Sequence, residues 1–193
     1  MFADNRSRKL IVVAHCLLNQ NSISDGTADF PSQFDEVVEL LMENEVGLIQ
    51  LPCPELSCLG LARQDPAGAQ RDLLSENTRI RGLMTEPQNI SKLRAKAEDV
   101  VEQLEEYRRY GFEVLGLVGI NRSPSCGVET TTQNAREEQG PGVFIEVLKE
   151  TLRQKGIALE MIGVKTSQAG ESVARVKALL ERSKPGNEET AHE

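Results

Sequence analysis

The chain has 193 residues, with 30 acidic against 22 basic side chains, a formal net charge of −8 and four cysteines. That length predicts one compact domain whose core needs no covalent staple. The charge disfavours a grip on a nucleic acid polymer or an anionic membrane and leaves a small polar substrate open.

Only five consecutive apolar residues, Leu10 to Ala14, stand before His15. That is too few for a secretory core, and no apolar run approaches a membrane span. A cytoplasmic location is therefore expected, where cysteines serve as ligands or reactive thiols rather than as a disulfide framework.

In chain order, Leu10–Ala14 reads as a buried strand. Phe34, Val37, Val38, Leu41 and Met42 then recur at helical spacing behind Pro31, which suits a first helical turn. A second strand, Gly47–Leu51, completes a β-α-β unit for which parallel pairing is the default. Residues 54–87 show no clean period and are expected to form an irregular, partly ordered cover over the sheet edge. A long helix follows from about Gln88 to Arg109, with Leu93, Ala97, Val100, Val101 and Leu104 on its apolar face. The nearly uninterrupted apolar run Phe112–Ile120 predicts a strand buried on both faces, hence a parallel sheet between helices. A helix from near Pro141, a fourth strand over Ile157–Val164 and a last helix around Val173–Leu180 complete the pattern. The expected fold is α/β, a three-layer Rossmann- or flavodoxin-like open sheet with helices on both faces. It forms a single domain over residues 1–183, and the polar stretch 184–193 is expected to be a flexible tail.

Three of the four cysteines, Cys16, Cys53 and Cys126, each follow closely on one of these strands. In an open parallel sheet the crevice beyond the carboxyl ends of the strands is where ligands bind. Free cysteine is also a small hydrophobe that is often simply buried. Around Cys16 stand His15, a ligand, proton shuttle or structural histidine, and Asn19 and Asn21, which either bind a carbonyl or amide edge or stabilise a turn. Prolines flank Cys53 and hold it in a rigid loop, with Glu55 two residues on as a candidate general acid or base. Ser123 and Ser125 bracket the turn that carries Cys126, either to bind and react or to cap it.

Soft thiolates favour zinc or iron–sulfur clusters over hard cations. Paired Cys-x2-Cys knuckles, the usual zinc signal, are missing. Three thiolates from separate loops would instead suit a [4Fe-4S] cube with one open, Lewis-acidic iron. A closed four-thiolate sensor or structural module with Cys58 as fourth ligand is an alternative. Another is an open-iron hydro-lyase, for which Arg63 and Arg122 are the nearby arginines that a carboxylate would need.

The motifs His15-Cys-Leu-Leu-Asn, Pro52-Cys-Pro-Glu55 and Ser123-Pro-Ser-Cys-Gly127, in this order, resemble the thiouracil desulfidase family, formerly a family of unknown function, and most closely a branch related to but distinct from the thiouracil enzymes. The resemblance implies a [4Fe-4S] cluster held by Cys16, Cys53 and Cys126. It further implies that the open iron captures sulfur from a small thiolated base, nucleotide or similar thioamide, with no net redox change. It makes Glu55 the proton-transfer residue. On the reading of the motifs themselves, Ser123 is a second catalytic candidate and Asn19 and Ser125 are substrate-binding candidates. Many relatives carry Ser-Ala-Cys-Leu-Gly and a glycine pair after Cys-Pro-Glu. This chain instead has Ala-His-Cys-Leu-Leu and Leu-Ser-Cys58-Leu-Gly.

Overall fold

The computed structural model describes residues 2–182, so the predicted tail lies outside the described residues. In chain order the elements are β1 (Lys9–Val13), α1 (His15–Leu18), α2 (Asp35–Glu43), β2 (Gly47–Gln50), α3 (Pro54–Leu59), α4 (Leu73–Met84), α5 (Pro87–Arg109), β3 (Glu113–Ile120), β4 (Thr130–Gln133), β5 (Arg136–Gln139), α6 (Val143–Gln154), β6 (Met161–Val164) and α7 (Ala169–Arg182). Four strands form a parallel sheet in the order β2-β1-β3-β6. The chain moves outward from β1 to β2 and then returns past it to β3. The switch point therefore lies between β1 and β3, where such sheets open a crevice.

Helices cover both faces. Leu10 and Val12 of β1 face a core shared with α5 and α6, whereas Ile11 and Val13 face the one shared with α2 and α7. This alternation is the period-2 signature of a strand buried on both sides. In β3 the register against β1 slips between Leu10 and Val12, a bulge that shifts the phase of the strand. Gly116 sits in it with φ +157°, where a Cβ would lie 2.9 Å from the Glu160 carbonyl oxygen.

Two differences from the sequence reading matter for the site. The segment 54–87 is irregular only between about residues 60 and 72: it also holds α3, opened by Pro54 in its first turn, and α4, capped by the Asp72 side chain accepting from Ser75 N–H. The period of α4 is masked because its buried positions include Glu76 and Asn77 beside Ile80 and Met84. Polar residues on an inward face erase the apolar stripe on which pattern reading depends.

The polar stretch after Cys126 also holds an unpredicted antiparallel hairpin, β4 with β5. Asn134 and Ala135 both take positive φ, 53° and 54°, as a tight hairpin turn demands. Alanine in place of the usual glycine hid that signal. The fourth parallel strand is shorter than expected, beginning at Met161, consistent with an edge strand that has one pairing neighbour. Among the described residues no helix is long and apolar enough to cross a membrane.

Candidate functional site

Beyond the carboxyl ends of β1, β2 and β3 lies a cavity of about 120 Å³. Cys16, Cys53 and Cys126 all line it, together with His15, Glu55 and Ser125. The three cysteines are free thiols brought from three loops onto one space. Cys16 lies in α1, which starts one residue after the last contact of β1. Cys53 is the N-cap of α3, its sulfur accepting from Leu56 N–H at 3.4 Å.

Cys126 is held by a more elaborate loop. Ser123 Oγ accepts from the Ser125 and Cys126 N–H groups at 3.3 and 3.0 Å. Asn121 Oδ1 receives the Glu129 N–H at 3.1 Å, and Arg81 of α4 donates to the Pro124 carbonyl and to Thr131 Oγ1 at 3.2 and 3.0 Å. Gly127 has to be glycine for space, because a Cβ there would stand 2.1 Å from the Thr130 carbonyl oxygen.

Burial pushes each of the three thiols up. Cys16 keeps part of its surface exposed, yet desolvation first, then the neighbouring Cys53 and Glu55 charges, raise it to about 12. Cys53 rises for the same two reasons, burial and the Glu55 charge. Cys126 goes well above the ordinary thiol value through burial, with Cys16 and Cys53 adding to it. Cys16 and Cys126 both feel the Cys53 charge, and together the three form a protonated, soft donor set from which a thiophilic metal group would displace protons. Burial lowers His15 below the ordinary imidazole value, partly offset by a hydrogen bond to the Leu51 backbone, so the ring is neutral at pH 7.

Glu55 is clamped. Ser125 Oγ donates to its Oε1 at 2.5 Å and Arg63 Nε donates to its Oε2 at 2.9 Å. Arg63, only 2% exposed, also donates to the carbonyl oxygens of Gly60, Leu61 and Ser22 at 2.8, 3.2 and 2.6 Å. A buried carboxylate survives only when its charge is matched and its lone pairs are engaged. This pair meets both needs while leaving Glu55 on the cavity wall.

The sequence candidates thus separate. Cys16, Cys53, Cys126, Glu55, Ser123 and Ser125 meet at one cavity. Asn19 does not join its lining: its Oδ1 accepts from the Asn21 backbone and side-chain nitrogens at 3.1 and 3.0 Å and caps a turn. Ser123 braces the loop and Ser125 contacts the carboxylate.

Cys58 points elsewhere, into the core with Leu59, Ile80 and Leu93. Five residues past Cys53 on a helix is about 140° round its axis, so the two cannot share a face. Sequence reading missed Asn77, which lines the cavity, and the clamping role of Arg81. The available signal was a polar residue at Asn77, three and seven positions before Ile80 and Met84 and so on their face.

Among the described residues no three His, Cys, Asp or Glu side chains are grouped to hold a single metal ion. A zinc ion draws its thiolates to within about 4 Å of one another, given bonds near 2.3 Å. A cube carries metal at its corners and takes more widely spaced thiolates from separate loops. Three free thiols from separate chain segments on one cavity are donors of the chemistry that such a cube takes.

A protein of Methanocaldococcus jannaschii, MJ0003, itself uncharacterised, is 31% identical to this chain over 123 residues, which span 64% of this chain and 70% of the relative. The chain belongs to the family of this archaeal protein. No known family profile matches the chain. A solved structure described as a [4Fe-4S]-dependent thiouracil desulfidase, TudS, is similar at 19% identity with a TM-score of 0.45, covering 88% of this chain and 99% of its own.

Proposed function

We propose that the protein is an enzyme, a [4Fe-4S]-dependent desulfidase that removes sulfur from a thiolated nucleobase, nucleotide or similar small thioamide. One observation carries this reading: three free thiols from three strand ends line one cavity with a buried, doubly held carboxylate. Cys16, Cys53 and Cys126 would hold the cluster. When bound, it supplies a Lewis-acidic iron with affinity for soft sulfur.

The chain's own part is water and proton handling. Glu55 accepts a proton from the water that adds to the thiocarbonyl carbon and returns it to the departing sulfur or the ring nitrogen. Thioamide and water thereby become amide and hydrogen sulfide, with no electron gained or lost. Ser125 and Arg63 keep the carboxylate aimed while this happens, and the apolar wall from Ile120 and Pro54 keeps bulk water away from the reacting carbon.

The site's composition weighs against the other readings. Cys58 lies in the core, so a closed four-thiolate site has no fourth sulfur at the cavity. Arg63 is fully occupied inside the protein, which leaves Arg122 on the cavity without a second arginine to converge with it on a substrate carboxylate, as a hydro-lyase would need.

The test is anaerobic purification with an absorption spectrum, an iron and sulfide count, and a screen of thiolated pyrimidines for sulfide release. Serine at position 16, 53 or 126 should remove most of the iron, whereas Cys58→Ser should keep it. A protein without iron, or equal loss from all four substitutions, ends the proposal.

A further inference from the structure

Asn77 is a polar group on the cavity wall that the reaction scheme leaves unused. It belongs to α4, is 8% exposed, and lines the same cavity as Glu55 and the three cysteines. Its side-chain amide is oriented by a chain of hydrogen bonds. Thr132 Oγ1 donates its proton to the Arg122 carbonyl oxygen at 2.6 Å, so toward Asn77 it can only accept. Asn77 Nδ2 is the donor that meets it, at 3.4 Å. This network decides which end of the amide is nitrogen, since the two ends are otherwise alike in shape.

The carbonyl end, Oδ1, is then left without a hydrogen-bond partner among the described residues, on a side chain more than nine-tenths buried. That oxygen is not sealed from solvent, since the buried side-chain polar atom without a partner among the described residues is Arg175 Nε; a ligand that enters the cavity can therefore replace water on it by supplying a donor. The donors of the catalytic carboxylate's clamp do not reach it: Ser125 donates to Glu55, and Arg63 to Glu55 and three carbonyls.

We infer that Asn77 is a specificity-determining residue whose Oδ1 accepts the N–H next to the thiocarbonyl of the substrate. The inference rests on the desulfidase reading and narrows it to secondary thioamides, rings that carry –NH–C(=S)–, as against N-alkylated ones. The same geometry assigns α4 and the β4–β5 hairpin a recognition role, because Thr132 of β4 is what turns the amide.

The decisive comparison is 4-thiouracil against its N3-methyl derivative, in which the N–H beside the thiocarbonyl is replaced by a methyl group. The protein carrying its metal should prefer the N–H form by about 10- to 100-fold in kcat/KM, because the methylated ring leaves the acceptor unpaired and crowds it. Asn77→Leu should bring that ratio close to one, and Asn77→Asp, which keeps an acceptor, should retain the preference. Iron content should be the same in all three proteins.

Calorimetric binding of uracil and of 3-methyluracil, which contain no sulfur to remove, gives an answer independent of turnover. Wild type should favour uracil, and Asn77→Leu should not. A wild type that turns over both thiolated rings equally, or an Asn77→Leu protein that keeps the preference, overturns the inference while leaving desulfidation standing. If no thiolated ring is turned over, the uracil contrast alone decides: a difference that vanishes in Asn77→Leu upholds the assignment, and no difference overturns it.

Discussion

Helices α4 and α5 follow one another in the chain and share a core on one side of the sheet, yet they bury opposite chemistry. The inward face of α5 is Leu93, Ala97, Val100, Val101 and Leu104, with a polar exception, Asn89, in its first turns, where its Nδ2 donates to the Leu83 carbonyl. On α4 the buried set is half polar: Glu76 and Asn77 beside Ile80 and Met84. A helix gains stability from an apolar stripe and loses it by burying groups that need partners. The contrast teaches that α5 serves as scaffold, whereas α4 gives up part of its packing to hold a loop, brace the Cys126 turn through Arg81 and face the cavity with Asn77.

That division can be broken by experiment. The largest effect is expected at the chemical end. Glu55→Gln keeps size and hydrogen-bonding capacity but removes the proton-transfer group, so turnover of a thiolated pyrimidine should fall by about 10² to 10⁴-fold with iron content intact. Near-normal turnover would reduce Glu55 to a structural role. The scaffold should behave the other way. Leu93→Ala should lower unfolding stability by about 2 to 5 kcal/mol in a denaturant titration, while specific activity per folded molecule stays close to wild type. A large activity loss without destabilisation would mean α5 is part of the site after all.

Glu76 tests the polar side of α4. Its carboxyl is held below the usual range, first by the hydrogen bond from Arg79, with burial opposing and Arg71 assisting. A carboxylate whose folded pKa is depressed stabilises the protein above its unfolded value, near 4.3, and that share is lost as pH falls through the folded pKa. Wild type should therefore exceed Glu76→Gln in stability at pH 7, by on the order of 1 kcal/mol. The gap should begin to close as pH falls below about 4 and be gone once pH is below the folded pKa. A gap that widens with acid would reverse the assignment.

The smallest change is Ala135→Gly in the hairpin turn that α4 holds through Thr78, whose Oγ1 accepts the Ala135 N–H at 2.8 Å. Alanine at φ 54° carries strain of about 1 kcal/mol that glycine does not. The variant should melt a few degrees higher, by roughly 2 to 4 °C for a chain of this size. No rise would mean that the turn is already relaxed.

The parallel sheet was legible because β1 and β3 read as unbroken apolar runs and α2, α5, α6 and α7 keep a clean helical stripe. α4 and the hairpin were illegible for a shared reason: their inward residues are polar and held by partners far along the chain, such as Asn77 on Thr132 and Arg81 on Pro124. Hydrophobic periodicity reports burial only where burial is apolar.

For the site, the amino-acid order alone determined that three thiols would follow three strands and that a glutamate would stand two residues from one of them. Spacing relative to a strand end is a local property, and a parallel sheet then carries it to one edge. Which groups face that edge was decided by tertiary structure. Helical rotation turns Cys58 into the core, and turn capping takes up Asn19. Arg63 and Ser125 are bound to Glu55 across 8 and 70 residues of chain, and Asn77 is oriented by a threonine 55 residues away. Side-chain hydrogen bonds at such separations depend on how the layers pack, and no local pattern encodes them.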